Sequence, residues 1–75
     1  MVKPTRITNQ IRALRFTAGE MTQAELADRI GVTRQTVIAI EQGRYSPSLE
    51  VAFRIAQVFE VNVDDVFQYP ADEPS

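Results

Sequence analysis

Seventy-five residues, 44% apolar and 24% charged, describe one small soluble domain; a chain this size buries only about 60% of its unfolded surface and cannot enclose a core plus a roomy catalytic cleft. The net charge is −2 and there is no Cys and no His, which excludes disulfides, thiolate chemistry, and the commonest general base and metal ligand. No stretch approaches the ~20 apolar residues of a membrane span, and MVKPTRITNQ lacks the apolar run of a secretory leader, so the expectation is a cytoplasmic, non-enzymatic binding module with no cofactor, no metal and no membrane partner.

The pattern is helical throughout. Ile7, Ile11 and Leu14 form one stripe of a first helix from about Asn9 to Thr17, stopped at Ala18-Gly19. Thr22 reads as the N-cap of a second helix, with Glu25 completing a capping box and Met21 stapled to Leu26. This helix turns Leu26, Ala27 and Ile30 inward and ends at Gly31, where a left-handed residue is needed. Thr33 caps a third helix running to about Gln42, with Val32 and Val37 stapled and Gly43 as the stop. Ser48 caps a fourth helix, with Leu49, Ala52, Phe53, Ala56 and Phe59 at helical spacing as its inward set. Asn62 caps a short fifth, with Val61 and Val66 as staple and Asp64-Asp65 near its positive end. No strand is convincing. The layout is an N-terminal arm (1–8), a helical domain (9–68) and a short acidic tail (69–75).

Charge is unevenly spread. Residues 1–44 hold seven basic groups against four acids, +3, whereas residues 45–75 hold only Arg54 against six acids, −5. Such a field orients a molecule on a polyanion. Seven of the eight basic residues are Arg, suited to bidentate contact with phosphate or guanine, although a genome rich in G and C would also inflate Arg.

The second and third helices, joined through Gly31, make a helix-turn-helix. Residues 23–42, QAELADRIGVTRQTVIAIEQ, resemble the twenty-residue motif of the Xre/Cro-like repressor family. Ala27 stands at the helix crossing, Gly31 at the turn, and Leu26, Ile30, Val32, Val37 and Ile40 supply the buried set. The flanks agree: Leu14-Arg15, Thr22–Ala27, Ile40–Arg44, Pro47-Ser48 and Val61–Phe67, so the resemblance covers roughly 9–67. Glu20 stands as one extra loop residue. The resemblance implies an all-α, five-helix, lambda-repressor-like DNA-binding domain.

Opposite the buried Val37 and Ile40 lie Gln35, Ala39 and Gln42, with Arg34 and Ile38 on one flank and Thr36 on the other. This face is short-chained, amide-rich and suited to the major groove. Arg34 can reach guanine O6 and N7, Gln35 adenine N6 and N7, while Thr36 and Ala39 can touch thymine methyls; in the family, the positions matching these four contact bases. Gln42 and Ile38 read equally well as contacts or as solvated positions. Phosphate contacts are expected from Thr22, Gln23, Thr33, Arg44 and Tyr45, with Arg6 or Arg12 reaching a neighbouring strand. The family's matching Gln, here Gln23, contacts the backbone and braces the first polar residue of the recognition helix. The resemblance further implies an internal ion pair between Glu41 and Arg15, which is scaffold and not DNA contact. Asp28, Arg29, Glu50, Arg54 and Glu60 read as solvated.

The function expected is sequence-specific double-stranded DNA binding by a small transcriptional regulator. The rival is an antitoxin-like module that uses the same fold to hold a protein partner. A homodimer on a two-fold-symmetric operator is expected, closed by the C-terminal region. Phe59, Val61, Val63, Phe67 and Tyr69 crowd there beyond what a short fifth helix can bury.

Overall fold

The computed structural model describes residues 5–70. The elements run β1 (Thr8–Asn9), α1 (Ile11–Thr17), α2 (Gln23–Ile30), α3 (Arg34–Glu41), α4 (Leu49–Phe59), α5 (Val63–Val66) and β2 (Phe67–Gln68). The first half of the expected N-terminal arm and the tail beyond Pro70, with Lys3, Asp72 and Glu73, lie outside the described residues.

Local signals build the helix starts. The Thr22 hydroxyl accepts from the Glu25 N–H at 3.0 Å, and Glu25 Oε1 accepts from the Thr22 N–H at 2.9 Å, a complete capping box. Thr33 and Ser48 cap α3 and α4 in the same way, accepting from the Thr36 and Val51 N–H groups. At α5 the Asn62 N–H donates to Asp65 Oδ2 at 3.0 Å. Gly31 ends α2 at φ 76°. Gly43, at φ 71°, ends α3 in a Schellman arrangement: its N–H donates to Ile40 O and that of Arg44 to Ala39 O. The extra loop residue Glu20 is left-handed too, at φ 58°.

The core joins all five helices: Ile11, Met21, Leu26, Ala27, Ile30, Val37, Ile40, Ile55, Ala56 and Val66 are buried together. Burial of α2 and α3 against one another follows the expected set, with Val32 packed at the edge.

Four sequence expectations are corrected. First, a strand pair does exist. Thr8–Asn9 pairs antiparallel with Phe67–Gln68, and α1 starts two residues late, after Gln10. Asn9 is occupied elsewhere: its side-chain NH2 donates to Ile40 O at 3.0 Å and Glu41 O at 3.3 Å, and its Oδ1 accepts from the Ile11 N–H. Two-residue strands carry no readable alternation. Second, α4 is rotated from the expected stripe. Its inward side is Ala52, Ile55 and Ala56 with Val51, Val58 and Phe59 packed alongside, while Leu49 is 72% and Phe53 52% exposed. Third, the C-terminal apolar residues are largely absorbed. Phe59, Val61, Val63 and Phe67 pack against the core, and of that group Tyr69 is exposed, with Arg6 5.6 Å above its ring. Nor is Arg54 only solvated: it bonds Ile30 O and Glu50.

Candidate nucleic-acid interface

Three surfaces converge on one side of the molecule: the outward side of α3, the N-terminus of α2, and the loop following Gly43. The residues Gly31, Val32 and Thr33 separate α2 from α3, and the left-handed Gly31 lets Thr33 begin the next helix at once. Thr33 fixes the first turn of α3 twice, accepting from the Thr36 N–H and sharing a 3.0 Å hydrogen bond with the Thr36 hydroxyl. Arg34 and Gln35 are exposed on the same turn, while Ala39 and Ile38 are half-exposed one turn on.

At α2, the capping box uses the N–H groups of Thr22 and Glu25, leaving those of Gln23 and Ala24 as first-turn donors of the kind that suits an anion. The Glu25 carboxyl is held below its ordinary value of 4.5. The main cause is the hydrogen bond from the Thr22 backbone, then that from the Thr22 hydroxyl, with the Arg29 charge adding. Beside this end runs a groove lined by Arg12, Arg15, Thr22, Gln23, Arg34 and Gln42 among others. Cationic side chains from α1 and α3 therefore flank the first-turn donors of α2, a layout suited to a phosphate.

Arg15 and Glu41 sit at the floor of this groove. The guanidinium donates to Glu41 through Nε at 2.6 Å and Nη2 at 3.1 Å, with the side chains 15% and 9% exposed. Its Nη1 donates to Met21 O at 2.8 Å. Gln23 Nε2 donates to the same carboxylate at 3.2 Å, so the Gln23 brace lands on Glu41, at the end of α3, and not on Arg34. Glu41 thus ties α1, α2 and α3 together, and one carboxylate group answers donors from two helices. Beyond α3, Arg44 is held by its backbone bond to Ala39 and reaches Gln42 Oε1 at 3.4 Å; Tyr45 follows, 42% exposed.

Asn9 was not anticipated as part of this surface. It lines the groove and caps the carbonyls at the end of α3. An isolated Asn before a helix carries no signal for a bond 31 residues away.

The helix-turn-helix family model matches residues 11–66, almost all of the described chain. The chain belongs to the Xre/lambda-repressor-like helix-turn-helix family. Among its relatives, a helix-turn-helix-type transcriptional regulator of Methanocaldococcus jannaschii is 55% identical over 53 residues, covering 71% of this chain and 80% of its own length. One from Bacillus subtilis is 46% identical over 59 residues, 79% and 88% of the two chains. The cryptic phage CTXphi transcriptional repressor of Vibrio cholerae is 31% identical over 61 residues, 81% of this chain and 50% of its own. As in any helix-turn-helix, α2 and α3 are the paired elements here, with α1, α4 and α5 as their support. Among the described residues no helix is long and apolar enough to cross a membrane.

Proposed function

We propose that this protein is a DNA-binding transcriptional regulator that places α3 in the major groove of a specific duplex. The observation that carries the reading is the outward side of α3. Arg34 and Gln35 are exposed there, Thr36 and Ala39 lie beside them, and Arg12, Thr22 and Gln23 line the groove that Arg34 shares. Arg34, Gln35, Thr36 and Ala39 read base edges. Thr22, Gln23, Thr33, Arg44 and Tyr45 position the domain on the backbone, the first two at the helix N-terminus where an anion is favoured. The Arg15–Glu41 pair holds this frame without touching DNA. The relatives' names as transcriptional regulators and a repressor support the same reading.

One α3 spans only a few base pairs, so two copies on a two-fold-symmetric operator, ~34 Å apart, complete the proposal. Among the described residues the large exposed apolar side chains are Phe16, Tyr45, Leu49, Phe53 and Tyr69, and of these Leu49, Phe53 and Tyr69 stand in the C-terminal region proposed for the contact. Work in the cytoplasm is part of the same proposal.

Selection from a random duplex pool, followed by titration of the winning sequence at several salt concentrations, tests the reading. A palindromic consensus bound well above random duplex is the expected result; recovery of no consensus overturns it. Sedimentation over a range of concentrations tests the dimer. A monomer throughout, unchanged by Phe53→Ser, removes the proposed protein contact.

A further inference from the structure

Along the outward side of α3 the surface is concave, a notch lined by Gln35, Thr36, Ile38, Ala39, Arg44 and Tyr45. It differs in character from the groove beside α2, whose lining is mostly charged and amide side chains. Ile38 is the large aliphatic member. It is half-buried, yet belongs neither to the core nor to the side chains packed on it. Its neighbour across the notch is Tyr45, 42% exposed. The wall is held in place, because the Gly43 and Arg44 N–H groups are tied to Ile40 O and Ala39 O just before Tyr45.

We propose that Ile38 and Tyr45 form a seat for the C5-methyl of a thymine, a base-reading contact additional to Arg34, Gln35, Thr36 and Ala39. The inference rests on the DNA-binding reading above and deepens it. Base edges in the major groove present donors and acceptors, and among the four bases thymine alone adds a methyl. An aliphatic side chain and an aromatic ring gain nothing from a donor or acceptor, and gain free energy by taking a methyl out of water. Gln35 and Arg44 line the same notch, which fits a polar ligand carrying one apolar knob and not a broad apolar partner. Tyr45 serves in both capacities, its ring walling the notch while its hydroxyl remains available to a phosphate.

The test replaces each thymine of the selected site in turn by deoxyuridine, which removes the methyl and leaves every hydrogen-bonding group. Wild-type protein should lose about fourfold in affinity at one thymine per half-site, the weight of one buried methyl. Ile38→Ala should show no such loss at that position, and Ile38→Val, which keeps the branched carbon, should retain most of it. A selected site whose deoxyuridine scan on wild-type protein shows no loss overturns this inference alone, as does a loss that Ile38→Ala leaves intact. If no duplex is selected at all, the DNA-binding reading falls and the inference falls with it.

Discussion

Removing one partner of the Arg15–Glu41 pair is the sharpest test of how the helices are held. In Glu41→Ala the guanidinium, 15% exposed, keeps only Met21 O of its three partner atoms. In Arg15→Ala the carboxylate, whose side chain is 9% exposed, keeps only the Gln23 amide. Breaking a buried pair costs about 3–5 kcal/mol because the survivor stays desolvated and uncompensated. Residual exposure and the surviving bonds place both variants near the lower end, about 3 kcal/mol. In a domain of this size 1 kcal/mol moves Tm by about 4–8 °C, so each variant should melt about 12–24 °C lower. Total stability is itself of order 5 kcal/mol for a small domain, so part of either population should be unfolded when warm. Circular dichroism melts of both variants and of Arg15→Met/Glu41→Leu provide the measurement. The double variant leaves no buried charge and should recover much of the loss. Single variants that melt within about two degrees of the parent would refute the argument, since the pair would then contribute no more than a surface ion pair.

Arg34→Ala should cost about 1–3 kcal/mol in binding and relax preference at one base position. Arg44→Ala should instead weaken all duplexes alike and lower the salt dependence by about one ion; anisotropy titrations on matched and mismatched duplexes separate the two. Glu25 has a carboxyl lowered from 4.5, so its capping contribution is full above that value and is lost as pH falls through the lower folded one. Glu25→Gln should therefore flatten the acid limb of the Tm–pH curve, and superimposable acid limbs would sink the argument. Gly31→Ala and Glu60→Gly should act in opposite directions, since both sites are left-handed, at φ 76° and 57°. Urea titrations should show the first losing and the second gaining about 1 kcal/mol. The Cβ at residue 31 would lie 3.2 Å from Arg54 Nη1, which donates to Ile30 O, so displacement of that bond adds to the strain in φ.

Features that close within a few residues can be read from the chain without its tertiary structure. Thr22 with Glu25, Thr33 with Thr36, and Ser48 with Val51 form caps over three positions, and the glycines at 31 and 43 end helices through bonds no longer than one turn. The set Leu26, Ala27, Ile30, Val37 and Ile40 was legible for a related reason: α2 and α3 are amphipathic, so only one side of each can be buried. In α4 that constraint fails. Eight of its eleven residues, LEVAFRIAQVF, are apolar, and more than one stripe satisfies the period. Contact with α2 and α5 selects Ala52, Ile55 and Ala56 and leaves Leu49 and Phe53 in water. Tertiary structure likewise decided the β1–β2 pair, the Asn9 bonds to the end of α3, and the landing of Gln23 on Glu41. Each joins atoms 18 or more residues apart, where local propensity is silent and the partner of a polar group is whatever donor or acceptor packing carries into reach.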